Sequence, residues 1–269
     1  MKKVIFIPNN KKIIKTINSN GFNSFILPLK DYSVGFDNYF SVKEINKLAN
    51  KYEISVIINK FLHKEEISSI KNIIKQLKNV KGYFLSDVSL LNTIKKEKII
   101  ISQDYLINNY EAINFYNSLG YKNIVISNLL TTSEIKEIRK KTKSTLFYFG
   151  INKNPLLYSK RTLITNYNKN FNNLNINKRM SVEESVTKHP LLVKEEKGNT
   201  IIFNKDVFNF LNEKETILKC IDYLVINLNN LTKDEIKKVF KKEFFGEDKF
   251  LKQKIGYKVK GENKWILKF

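Results

Sequence analysis

A chain of 269 residues with 42% hydrophobic content is long enough for one large domain or two small ones, and it can bury its own core. Its 48 lysines and arginines against 26 aspartates and glutamates give a formal charge of +22 and a pI near 9.7, a field that draws anionic partners, nucleic acid first among them; abundant Lys and Asn throughout also fit an AT-rich coding sequence. A single cysteine, Cys220, excludes an intrachain disulfide and a four-thiolate zinc or iron–sulfur site, and two histidines, His63 and His189, argue against a histidine-rich metal site.

The opening MKKVIFIPNN has a short basic start and an apolar run too brief for a signal-peptide core. No apolar stretch reaches membrane-spanning length, so a cytoplasmic protein without membrane contact is expected. Short β-rich runs then alternate with amphipathic segments. VIFIP (4–8) precedes a helical NKKIIKTINSNG (10–21), and SFILP (24–28) precedes SVKEINKLANKY (41–52). ISVIIN (54–59) leads to KEEISSIKNIIKQLKN (64–79), followed by GYFLSD (82–87) and KIIIS (98–102). NYEAINFYNSLG (109–120), NIVIS (123–127), TTSEIKEIRKKT (131–142) and STLFYF (144–149) continue the series. These runs are continuously apolar, as strands of a parallel sheet covered on both faces are. Ser41, Asp87 and Thr131 occupy helix N-cap positions, and Gly21 and Gly120 occupy stop positions.

About seven βα steps precede residue 150, and DYLVIN (222–227) supplies an eighth strand before a last helix, TKDEIKKVFKKEF (232–244). The reading is a single (β/α)8 TIM-like barrel over 1–269, with an insertion at about 151–205 between barrel strands seven and eight. The insertion contains HPLLVKEEKGNTIIFN (189–204), two β-like runs around a turn in which Gly198 and Asn199 can take positive φ. An open doubly wound sheet is the competing architecture. No glycine-rich phosphate loop follows any strand to support it.

In a barrel, residues just past the strands face the site. Here these are Lys30, Asp31 and Tyr32 after strand two, Asn59 after three, Asp87 after four, Gln103 and Asp104 after five, and Asn128 after six, with Asn109 a little beyond Asp104. Asp87 reads first as a cap for the next helix. A carboxylate at Asp104 among so many lysines stays ionised, which suits substrate positioning better than general-acid work. The stretch NPLLYSKRTLITNY (154–167) is expected as a loop on the site face. Its Lys160 and Arg161 suit a phosphate or carboxylate, and Tyr158, Tyr167 and Phe171 offer surfaces on which unpaired bases stack, although aromatics in such positions more often pack internally. Ser159 and Cys220 have no histidine nearby in sequence, so no self-contained hydrolase is indicated.

Taken in order, several stretches resemble the peptidase U32 family, bacterial proteins first described as collagenase-like proteases. NGFNSFILPLKDYSVGFDNYFSVKEI (20–45) is similar to that family's early block, and ISQDYLINNYEAINFYNSLGYKNIVISNLLTTSEIKEI (101–138) to its middle segment. FGINKNPLLYSKRTLITNY (149–167) is similar to its signature region, with EEKGNTIIFNKDVFNFL (195–211) as the following hairpin. The resemblance is closest to the short subunit of paired U32 proteins of Gram-positive bacteria. It implies a barrel that works with a larger U32 subunit in hydroxylating the wobble uridine of tRNA to 5-hydroxyuridine, for which the family uses prephenate and an iron–sulfur cluster. This chain departs from the family in having Asn128-Leu129 where many relatives have Arg-Glu, Phe149 where they have histidine, and none of the cluster cysteines.

The expectation is therefore a subunit or scaffold with no cofactor of its own. A cluster is expected only in the partner, and the RNA-binding candidates are Lys30, Tyr32, Asn59, Gln103, Asp104, Asn109, Tyr158, Ser159, Lys160, Arg161 and Tyr167. The alternatives are a U32-type peptidase acting on collagen-like or other peptides, and a catalytically inactive protein whose barrel face docks a partner.

Overall fold

The computed structural model describes residues 3–103, 106–170, 177–186 and 188–240. Seven parallel strands come first: β1 (Lys3–Ile7), β2 (Ser24–Pro28), β3 (Glu53–Ile58), β4 (Gly82–Leu85), β5 (Ile99–Ile101), β6 (Asn123–Ile126) and β7 (Thr145–Asn152). Helices α1 (Ile13–Ser19), α2 (Val42–Ala49), α3 (Lys64–Gln76), α4 (Tyr110–Ser118) and α5 (Thr132–Lys141) run between them, while only short 3-10 turns join β4 to β5. After β7 come β8 (Pro155–Ser159), α6 (Leu163–Asn170), β9 (Arg179–Glu183), β10 (Pro190–Glu196), β11 (Asn199–Asn204), β12 (Phe208–Asn209) and α7 (Lys214–Cys220). Strand β13 (Tyr223–Asn227) and α8 (Lys233–Phe240) complete the described chain, and residues 241–244 of the expected last helix lie outside it. Strand β13 pairs in parallel with both β1 and β7, and β6 pairs with β7, so the eight parallel strands close into the expected TIM-like barrel.

Alternation along each strand divides the apolar residues into two layers. Ile7, Ile26, Ile57, Phe84, Val125 and Val225 point inward and fill the barrel. Their neighbours Phe6, Phe25, Val56, Leu85, Ile124 and Leu224 face the helices in a second, larger core. The barrel interior is thus packed, and any site must lie at its ends.

Ser41 and Thr131 both cap their helices. Each side chain accepts from the backbone N–H three residues on, and Glu44 and Glu134 reach back to the cap N–H. Asp87 caps a 3-10 turn, Val88–Leu90, accepting from Ser89 N at 2.9 Å.

Strand β7 runs three residues past Phe149, where the apolar run STLFYF ends. Phe149 stands opposite Val225 and Ile151 opposite Ile226, so Gly150 is an extra, bulged residue. A Cβ there would lie 2.5 Å from Leu224 Cδ1 and 2.8 Å from Phe210 Cδ1, which is why the position takes glycine. The bulge reverses the alternation. Ile151 stays in the outer core, and Asn152 turns toward the mouth of the barrel.

The segment after β7 is more ordered than a loop with one hairpin. Strands β8, β11, β10 and β9 form a four-stranded antiparallel sheet in that order. NPLLYSKRTLITNY is an edge strand, a turn and helix α6, paired through Tyr158 with Ile201 and through Ser159 with Thr200. In the β10–β11 hairpin the positive-φ residues are Lys197 and Gly198, one position earlier than expected. Glu196 pairs with Asn199, leaving a two-residue turn of the primed kind that matches strand twist.

Candidate functional site

The antiparallel sheet lies over the C-terminal end of the barrel. Val34, in the loop after β2, packs on Ile201 and Phe203 of β11, with Tyr158 and Leu192 alongside. Gly35, at φ 88°, brings its backbone so close that a Cβ would meet Phe203 at 2.9 Å. Its N–H donates to Glu196, as does the Tyr39 hydroxyl. Burial first, and then the adjacent Glu196 carboxylate, push the Tyr39 phenol far above its ordinary range, so it stays a donor. Asp37 adds a second tie to the roof: Oδ1 meets Arg179 Nη1 at 2.9 Å and Lys194 Nζ at 3.5 Å, while Oδ2 accepts from Asn230 N at 2.6 Å.

Between roof and barrel lies a cavity of about 440 Å³, within the range of small-molecule sites. Its walls include Phe36, Phe61, Phe149, Leu157, Tyr158 and Phe203. Polar groups enter from the strand ends. Asn152 and Asn227 belong to a chain of amides in which Asn227 Nδ2 donates to Asn152 Oδ1 at 2.8 Å, and Asn152 and Asn128 both donate to Asn154 Oδ1, at 3.2 and 2.8 Å. Lys153 is the one charged residue among the described lining residues. It is 5% exposed and its ammonium lies 3.3 Å from Glu235 Oε2. No histidine, cysteine, aspartate or glutamate among the described residues lines the cavity.

The structure gathers some of the expected site residues and separates others. Asn59, Gln103 and Tyr158 line the cavity. Asn59 pins the loop after β2, accepting from Val34 N at 2.9 Å and donating to Val34 O at 3.1 Å. Gln103 Oε1 accepts from the Tyr116 hydroxyl at 2.8 Å. Tyr158 stacks edge-on against Phe61, with ring centroids 4.6 Å apart, and donates to Asn199 Oδ1 at 2.8 Å; burial pushes its phenol up to about 12. Ser159 Oγ turns away to accept from Arg161 N at 3.2 Å.

Lys160 and Arg161 are exposed in the turn after β8, and neither forms an ion pair among the described residues. Lys160 is close enough to Asp87 to act on it. Burial alone would raise that carboxyl, but N–H bonds from Leu62 and Ser89 and the Lys160 charge hold it below the ordinary range. Tyr167 is 53% exposed on α6. Lys30 is exposed, whereas Tyr32 is buried in the layer between barrel and helices. Asn109 caps α4, its Oδ1 accepting from Ala112 N at 2.9 Å. Asp104 and Phe171 lie outside the described residues.

Strand-end reading missed Lys153, because the seventh strand was ended at Phe149; it also missed Ser86 and Ser102, which lie directly before the strand-end residues it named. An iron–sulfur cluster does not fit this chain. Its sole cysteine, Cys220, is buried on α7 in the outer core, and no group of three or more His, Cys, Asp or Glu among the described residues is placed to hold a metal. No helix among the described residues is long and apolar enough to cross a membrane.

A sequence model of peptidase family U32 matches residues 12–241. The tRNA hydroxylation protein P1 of Bacillus subtilis (strain 168) is 24% identical over 139 residues, 48% of this chain; the match spans only 33% of that protein's length. The solved structure of the U32 peptidase Mk0906 superposes with a TM-score of 0.55 at 11% identity, over 85% of this chain and 93% of that one, a likeness of fold.

Proposed function

The chain belongs to peptidase family U32, and from that premise we propose that it supports 5-hydroxylation of the wobble uridine of tRNA as a scaffold or RNA-binding subunit beside a larger U32 protein in the cytoplasm. The likeness to a tRNA hydroxylation protein supports the pathway, and the formal charge of +22 supports a polyanionic partner. The observation that carries the RNA assignment is the Lys160–Arg161 turn, two exposed cations without ion-pair partners among the described residues. Only Ser159 separates it from Tyr158, a wall residue of the cavity.

On this reading any redox centre resides in the partner, which supplies the thiolate ligands that this chain lacks. A peptidase reading gains nothing from the cavity, where no nucleophile with a histidine or carboxylate beside it is found among the described residues. Two measurements test the proposal. Arg161→Ala and Lys160→Ala are each expected to weaken tRNA binding and to reduce the slope of log affinity against log salt by about one. Nucleosides from cells lacking the gene are expected to lose 5-hydroxyuridine derivatives at the wobble position. Unchanged affinity and slope would remove the RNA role assigned to the turn, and an unchanged nucleoside profile would remove the pathway.

A further inference from the structure

The cavity beneath the roof sheet is charge-neutral along its described walls. Lys153 is the only ionised group there, and Glu235 already neutralises it. That carboxylate is held in place from a second side, since Glu235 Oε2 also accepts from Thr232 N at 2.5 Å at the start of α8. An incoming carboxylate or phosphate would give up its water and find no free cation among the described wall residues in return. A neutral molecule gives up far less.

Unspent hydrogen-bonding capacity lies side by side at the end of β5. Ser102, 2% exposed, makes no side-chain hydrogen bond to a described residue. Gln103 Nε2 spends one hydrogen on a long 3.4 Å contact with Ser86 O, and the Tyr116 hydroxyl at Oε1 fixes the amide so that the other hydrogen is unspent. Much of the remaining wall is aromatic and aliphatic, with Phe36 and Phe149 on the barrel side and Leu157 and Phe203 on the roof side.

We propose that this cavity binds an uncharged ring compound carrying a carbonyl oxygen, an aromatic or heterocyclic amide by class, and selects against carboxylates of the same shape. The carbonyl is received by Gln103 and Ser102 and the ring by the apolar walls. This selectivity comes from the walls alone and holds whatever binds at Lys160 and Arg161.

Phenylacetamide and phenylacetate, nearly matched in shape and opposite in charge state, are the probes, titrated calorimetrically into the full chain. The amide is expected to bind roughly tenfold tighter than the acid, because only the acid must bury an uncompensated charge. Gln103→Leu is expected to weaken the amide. Glu235→Gln, which frees the Lys153 ammonium, is expected to raise phenylacetate affinity to that of the amide or above it. Leu157→Trp, which fills the cavity, is expected to abolish binding of both. Tighter or equal binding of phenylacetate by the unaltered protein would overturn the proposal, as would binding of neither probe or amide binding that survives Leu157→Trp. Loss of tRNA binding in the turn variants would leave these results unaffected, so the two proposals fail separately.

Discussion

Lys153 and Glu235 bury 94% and 90% of their side chains, and each compensates the cost of taking the other out of water. Removing one partner leaves an unpaired charge out of water. Lys153→Met is therefore expected to destabilise the protein by about 3–5 kcal/mol in urea unfolding. Lys153→Met combined with Glu235→Gln is expected to recover much of that loss, because glutamine still offers Thr232 N an acceptor without the charge. A double variant no more stable than Lys153→Met would show that packing around the lysine stem, and not the charge pair, carries the energy. Lys153 escaped a reading that ends the seventh strand at Phe149, and the bulge at Gly150 hid Asn152, since simple alternation from Phe149 would bury Ile151 in the barrel and turn Asn152 outward. Gln103, Asn59 and Tyr158 could be found because strand ends and the roof edge are set by the larger pattern. The positions of Tyr32 and Asn109 depend on a local loop path and on a cap, neither of which a strand-end rule registers.

The barrel itself could be read at the level of elements, because each strand is an apolar run bounded by turn residues and both of its faces are buried by the fold. The roof sheet was harder to see. Strand β9 alternates exposed and half-buried residues, and β8 leaves Leu156 and Leu157 48% and 44% exposed, so neither has the apolar continuity of a barrel strand. Their pairing is set instead by β10 and β11, the hairpin that the sequence did announce. What fixes this sheet over the barrel is the loop after β2. Gly35→Ala would place a side chain at positive φ and drive it into Phe203, and it is expected to cost about 1–3 kcal/mol. Thermal unfolding followed by circular dichroism should show the midpoint lowered by several degrees. A midpoint within error of the unaltered protein would mean that the roof yields to accommodate the methyl group, and that its seat on the barrel is soft.

For the whole molecule, the excess of 48 basic over 26 acidic side chains makes the folded state repel itself. The carboxylates that relieve this repulsion are held by specific partners. Hydrogen bonds from Lys3 and Ser24 lower the Glu53 carboxyl; burial opposes the shift in Glu44, Glu66 and Asp87, yet hydrogen bonds and nearby lysines hold each below its ordinary range. A carboxyl whose folded pKa lies below its unfolded value stabilises the fold above the unfolded value, near pH 4, and ceases to do so as pH falls through the folded one. Protonation there also removes negative charge from a molecule already at +22, so both effects act in the same direction. The melting temperature is accordingly expected to fall steeply once the pH drops below about 4.5. Salt acts on the same field with opposite signs. Raising sodium chloride from about 50 to 300 mM at neutral pH shortens the screening length, and it is expected to raise the melting temperature by relieving self-repulsion while weakening tRNA binding through the counterion term. If salt weakened tRNA binding but left the melting temperature unchanged, the excess charge would be spread too thinly to strain the fold and would be felt only where it is gathered, as at Lys160 and Arg161.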